Sequence, residues 1–339
     1  MSVEQLIETA EAAYQAADLE DAIALCDQAL GEDPQSADAL EIKGLALAEL
    51  GDFEAADEVF EDLLKWHPRR VTGQLAAADV KIRLPGDDRD RIEEGLKILA
   101  AADKLARQDE ELSIELELLR GLAFNQLGEN EDALDAFARV LQLAPDHFEA
   151  RLETAMAHFE LGRFPDAKKG FETLSREFPD EPWAFHYLGL IAERAGGDAE
   201  GFFKKARQLD PDEFPPPVKL SSAEFDRAVA DAIAALPDHA KPHLENTVIT
   251  VEPLPGDDEL KEGLSPTILG VFEGTPLDER LDTHAGHHQT ARIKLFQKNL
   301  ERFARTRDEL LEEIRITVLH EVGHLLGLDE DELYDRGLD

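Results

Sequence analysis

At 339 residues, with 43% hydrophobic and 32% charged residues, the chain has the composition of a globular protein long enough for two domains. A formal net charge of −40 repels phosphate backbones, so no nucleic acid is expected as a partner and a neutral or basic protein is favoured. No unbroken apolar run reaches the roughly 18 residues of a membrane span, the start "MSVEQLIETAEAAYQ" lacks a basic-then-apolar leader, and the lone Cys26 precludes internal disulfides. No membrane contact and a cytoplasmic setting are the expectation.

The first two-thirds repeats itself. "LGDFEAADEVFEDLLKWHP" (50–68), "LGENEDALDAFARVLQLAP" (127–145) and "LGRFPDAKKGFETLSREFP" (161–179) share a glycine, then an alanine, a phenylalanine and a proline at fixed spacing. Gly51, Gly128 and Gly162 suit a positive-φ turn between helices. Ala56, Ala133 and Ala167 let the second helix lie close to the first, Phe60, Phe137 and Phe171 fill the gap between them, and the prolines end the unit. A first copy keeps Ala22, Ala29 and Pro34 but has Asp18 where the others have glycine. A last, shortened copy turns at "RAGGDAE" and keeps Phe203, Ala206 and Pro211.

These residues resemble the tetratricopeptide repeat, with units at about 3–36, 37–70, 114–147, 148–181 and 182–213. Residues 71–113 lack the signature and read as two helices joined through "PGDD", a stretched unit. The resemblance implies a helical solenoid whose concave face binds a protein or peptide. Trp66 and Trp183 are expected to pack within it.

Composition changes at "DPDEFPPPVKLSSAEF", where three prolines (215–217) favour an extended connection. The expected organisation is a repeat domain over 1–213, a Pro-rich linker over 214–222 and a small α+β domain over 223–339, giving a mostly α chain. Ser221 and Glu224 form a capping-box pattern that starts a helix running to about Leu236. "NTVITVEPLP", "TILGVFEG" and "ARIKLFQ" read as three strands, and a long helix follows over about Arg307 to Leu326. Leu311, Ile314, Val318, Val322 and Leu325 form its apolar stripe, on a different face from His320 and His324.

His320, Glu321 and His324 make H-E-x-x-H, which puts two imidazoles one turn apart with a carboxylate slightly aside, able to serve a zinc-activated water. The motif extends to "HEVGHLLGLDE", with Gly327 placed to end the helix and Glu330 where metzincin peptidases carry a third histidine. A carboxylate is an acceptable zinc ligand. Metzincins also need a downstream methionine, and only Met1 and Met156 exist here. The stretch after His324 is too short for the later helix that supplies a gluzincin's glutamate.

With "ILGVFEGTPL" (268–277), "RIKLFQKNLER" (292–302) and "TVLHEVGHLLGLDEDEL" (317–333), the segment from about 221 to 339 resembles the minimal zincin-like metallopeptidase domain. The resemblance implies zinc held by His320, His324 and an acid of the 329–332 cluster, with Glu321 as catalytic base. Glu330 is the choice for that acid, with Asp331, Asp329 and Glu332 left open. Strand 292–297 is a candidate edge for substrate pairing. "THAGHH" (283–288) reads as a solvated loop, and Tyr334 is a weaker candidate for oxyanion stabilisation. The competing reading is an interaction scaffold whose zincin-like domain binds metal but hydrolyses little.

Overall fold

The computed structural model describes residues 1–84, 88–238, 240–276, 291–329 and 332–333. Twelve helices come first: α1 (Val3–Gln15), α2 (Leu19–Glu32), α3 (Ala37–Glu49), α4 (Phe53–Trp66), α5 (Val71–Arg83), α6 (Arg89–Ala106), α7 (Glu110–Gln126), α8 (Asn130–Leu143), α9 (Phe148–Glu160), α10 (Phe164–Glu177), α11 (Pro182–Arg194) and α12 (Glu200–Leu209). They pair as helical hairpins of a tetratricopeptide-type solenoid, followed by a small mixed-sheet domain. The chain forms two compact units, Met1–His158 and Phe159–Asp339.

Within the first unit, the turns form where the glycines predict. Gly51 and Gly128 adopt φ of 80° and 75°. In the first repeat the strained position is Ala17, at φ 59°, and not Asp18, which instead precedes α2 as its cap residue. Alanine pays about 1–2 kcal/mol there, which glycine avoids. The repeat phenylalanines owe their burial to a partner the motif reading omitted. A Cβ on Gly44 would lie 2.6 Å from the Phe60 ring, and one on Gly121 would lie 2.2 Å from the Phe137 ring. Both rings are fully buried, each seated on bare backbone of the preceding helix. The irregular stretch is helical as expected (α5 and α6), and it contributes Leu75, Ile82, Ile92 and Leu99 to the core. Glu117 is buried in α7 and ringed by Arg107, Arg120 and Arg139 at 2.9, 3.1 and 3.0 Å, so its charge is compensated on three sides. Burial pushes the Cys26 thiol up to about 11, which keeps it inert. Trp66 is 45% exposed, contrary to the expected packing role, with Lys65 over its ring.

The second unit contains α10–α12 and the mixed domain. The latter comprises α13 (Ser222–Ala235), β1 (Thr247–Glu252), α14 (Asp257–Lys261), β2 (Gly270–Glu273), β3 (Ala291–Phe296), α15 (Gln297–Phe303) and α16 (Arg307–Leu326). Ser221 caps α13 with the reciprocal Glu224 bond, as its sequence predicts. The strand order is β1-β3-β2, with β1 parallel and β2 antiparallel to β3. Strand 291–296 is therefore central and paired on both sides, which removes it as the edge for a substrate. Among the described residues, β2 is an edge. Ile293 and Leu295 of β3 and Ile314, Val318 and Val322 of α16 form one core with Phe225 of α13. The stripe starts at Leu310, fully buried, while Leu311 is 37% exposed.

The Pro-rich stretch is held on this unit. Val218 N donates to the Glu301 carbonyl at 3.0 Å, and Leu220 N donates to the Glu301 carboxylate at 3.1 Å. Glu193 of α11 pairs with Lys298 and Arg302 of α15, and the Arg302 guanidinium lies 5.4 Å from the Phe203 ring centroid. His186 sits in this region, against Trp183, Phe203 and Phe214. Burial, reinforced by the nearby Arg302 charge, pushes its imidazole from 6.5 down to about 4. The unfolded chain thus takes up a proton below 6.5 that the folded chain refuses until about 4. His186 contributes stability that is fully present above that window and lost as pH falls through it, by an upper bound of about 3 kcal/mol. Glu115, Glu153 and Glu160, all raised mainly by desolvation, act in the opposite sense. A His186→Phe chain isolates the histidine: its melting temperature should drop less between pH 7 and pH 4 than the parent's, and parallel curves would remove His186 from the balance.

Candidate functional site

The site is built on the last two turns of α16. Thr306 accepts the Glu309 N–H to start the helix, and Gly327 ends it at φ 95°, with Leu328 N donating to the Gly323 carbonyl at 3.0 Å. Between these caps, His320 and His324 project side by side. Their Nε2 atoms lie 3.0 Å apart, with ring planes at 82°. The other nitrogen of His324, Nδ1, lies 3.1 Å from the Leu328 carbonyl. A carbonyl only accepts, so Nδ1 carries the hydrogen and the Nε2 lone pair is left pointing at His320.

Two nitrogens bound to one tetrahedral zinc at about 2.0–2.1 Å would stand about 3.3 Å apart. The observed pair needs only a small separation to reach that spacing, so the two imidazoles fit the ion that the motif implies. Glu321 is buried (5% exposed) yet lines the same cleft as the histidines. That cleft, about 700 Å³, is walled by β2 and the strand's flanks on one side and by α16 from Glu313 to His324 on the other.

Three features of this arrangement are absent from the motif. Gly270 of β2 faces α16: a Cβ there would lie 2.7 Å from Thr317 Cγ2 and 3.0 Å from Glu321 Oε1. Glycine thus allows the edge strand to reach the glutamate. Gly323, the second variable residue of H-E-x-x-H, makes room for Leu333, which would lie 2.4 Å from an added Cβ and is fully buried. Leu333 thereby packs back against α16 at Gly323. Glu313 lines the cleft two turns ahead of His320.

Of the four acids, Asp329 lines the cleft beside His324. Asp329 and Glu332 also cap each other: Glu332 N donates to Asp329 Oδ1 at 2.9 Å and Asp329 N to Glu332 Oε2 at 3.3 Å. Glu330, Asp331, Tyr334 and the "THAGHH" histidines lie outside the described residues. Among the described residues, no group of three metal-ligating side chains is brought together; the structure brings His320, Glu321 and His324 to one cleft.

Comparison with known proteins agrees with both parts of the chain. A model of the zincin-like metallopeptidase family matches residues 244–338, and tetratricopeptide repeat models match 7–79 and 125–186. A protein CTR9 homolog from Arabidopsis thaliana is 36% identical over 88 residues; the match covers 25% of this chain and only 8% of that protein. Among solved structures, PilW, a type IV pilus biogenesis factor, superposes with a TM-score of 0.53 at 19% identity, covering 62% of this chain and 94% of that one. PilF of Pseudomonas aeruginosa gives 0.51 at 19% identity, covering 68% and 97%. A tetratricopeptide repeat protein from Parabacteroides merdae gives 0.50 at 19% identity, covering 71% and 96%. At these identities the likeness concerns the fold of the repeats.

Proposed function

We propose that this chain, which carries tetratricopeptide repeats and a zincin-like metallopeptidase domain, is a zinc-dependent peptidase whose repeats recruit a protein substrate or partner. The observation that carries the reading is the convergence of His320 and His324 Nε2 at 3.0 Å beside a buried glutamate in a cleft. His320, His324 and an acid of the 329–332 segment, Glu330 by preference, would hold the ion. Asp331, Asp329 and Glu332 are the alternatives. When bound, zinc supplies Lewis-acid polarisation of the scissile carbonyl and lowers the pKa of the attacking water.

The chain's own residues do the rest. An extended peptide adds to the edge of β2, where backbone hydrogen bonds fix its register along the cleft. Glu321 accepts a proton from the attacking water as the water oxygen bonds to the scissile carbon. It then delivers that proton to the leaving amine as the C–N bond breaks. Its burial excludes bulk water from the carboxylate, and the Leu328 carbonyl keeps His324 in the tautomer that presents Nε2.

The repeats carry the partner-binding role, with a concave face for a protein or peptide. Among the described residues, no helix is long and apolar enough to cross a membrane. The lone buried Cys26 and the charge of −40 support a cytoplasmic setting without a nucleic-acid partner.

Metal content of the purified chain by mass spectrometry tests the ligand set. About one zinc per chain is expected, with loss in both His320→Ala and Glu330→Ala. Retention in Glu330→Ala alone would transfer the third ligand to Asp331, Asp329 or Glu332. A parent chain that takes up no zinc would overturn the reading.

A further inference from the structure

Glu313 belongs to α16 and lines the cleft, together with Ile316, Thr317 and His320. It stands seven residues before His320, so the helix brings it back to the same face about 10 Å away along the axis. Its neighbour Glu312 points to solvent and is neutralised by Arg315 at 2.5 and 2.9 Å. Glu313 has no such partner: among the described residues, no cation and no hydrogen-bond donor engages its carboxylate.

Much of the surrounding wall is apolar, with Leu264, Ile268, Phe272 and Pro276 lining the same cleft. A half-buried carboxylate without a counter-charge, in a largely apolar cleft, carries a desolvation cost that a cation from outside would relieve. Burial, with Glu312 adding to it, accordingly raises its pKa. An extended strand advances about 3.3 Å per residue, so the distance from the histidines to Glu313 corresponds to about three residues of a bound peptide. The side chain of lysine or arginine shortens that reach further. The net charge of −40 also raises the local concentration of basic peptides around the molecule.

We propose that Glu313 is a specificity residue that selects peptides with a lysine or arginine within about three residues of the scissile bond. This assignment rests on the peptidase reading above. Glu313 touches the substrate side chain and takes no part in the proton transfers.

A binding experiment separates the two readings. The probes are fluorescein-labelled octapeptides, identical except for one lysine or norleucine walked through each position. They are titrated by fluorescence anisotropy against the zinc-loaded full chain carrying Glu321→Gln, which removes turnover. The lysine peptide at the responsive positions should bind about tenfold more tightly than its norleucine partner. Adding Glu313→Gln, nearly isosteric and uncharged, should reduce that ratio to near one. Adding Glu313→Lys should turn the preference toward a glutamate-bearing peptide. A lysine preference that survives Glu313→Gln would place the recognition elsewhere, for instance on the acidic repeats, and overturn the proposal. So would equal binding of the two probes, or no binding of either. None of these outcomes depends on hydrolysis, so a failure of the catalytic reading appears separately, as undiminished cleavage in Glu321→Gln.

Discussion

Glu321→Gln should reduce peptide hydrolysis by about 10²- to 10⁴-fold while leaving zinc content at the parent level. The two halves of this expectation come from different atoms. Metal retention depends on the Nε2 pair of His320 and His324, which the substitution leaves in place. Turnover depends on a carboxylate that can take a proton and give it back, which an amide cannot do. The side chains have nearly the same shape, so the packing of residue 321 against β2 is preserved and a loss cannot be blamed on unfolding. Hydrolysis of a casein-type or short quenched-fluorescence substrate measures the first half, and mass spectrometry the second. Equal cleavage by both chains would remove Glu321 from the mechanism. Loss of zinc together with activity would make it a ligand and require a different base.

How much of this could be read from the sequence differed by kind of feature. The repeat turns were legible because a positive φ strongly favours glycine, so Gly51 and Gly128 announce the backbone directly. The exception obeys the same spacing: Ala17 stands five residues before Ala22, as Gly51 stands before Ala56, and takes the turn conformation at a cost, so counting back along the repeat locates it where residue type does not. The pairing of Phe60 with Gly44 and of Phe137 with Gly121 is a contact between residues on adjacent helices, so it was hidden in the spacing of two separate motifs. In α16, Leu310 and Leu311 are chemically the same, and a single residue of register decides which is buried and which exposed. The α15 helix follows β3 directly, with no side-chain cap to mark its start, and was not anticipated.

Sheet order was the least legible element of all. Two alternating segments and a short apolar run identify three strands, but neither pattern says anything about neighbours. Strand 292–297 read as a candidate edge, whereas the strand at 291–296 is buried at four of its six positions and paired on both flanks, as a central strand is. The histidine pair was legible because helix geometry alone places residues four apart on one face. The wall opposite it was not, because that wall comes from a strand some fifty residues earlier. A lone glycine opening a short β-branched and aromatic run is nonetheless a sequence-level sign of close backbone approach, and Gly270 is that residue.

Gly270→Ala should therefore lower activity far more than an edge-strand alanine normally would. The added Cβ meets Thr317 Cγ2 at 2.7 Å and Glu321 at 3.0 Å for Oε1 and 3.2 Å for Cγ. Cβ contacts under 3.0 Å essentially do not occur, so either β2 moves outward or α16 rotates, and Glu321 shifts in both cases. Overpacking of this kind costs about 1–3 kcal/mol of stability. A displacement of the base by about 1 Å costs on the order of 10²-fold in rate. Thr317→Ser removes the Cγ2 methyl that makes the shortest contact and has little reason to alter catalysis by itself. The double substitution should thus recover part of both the melting temperature and the rate lost in Gly270→Ala, a positive coupling between residues on different elements. Strictly additive losses would mean that β2 relaxes away from α16 without engaging Thr317. Full activity in Gly270→Ala would mean that the strand is not held against the glutamate, and the edge on which the substrate is placed would have to be sought elsewhere.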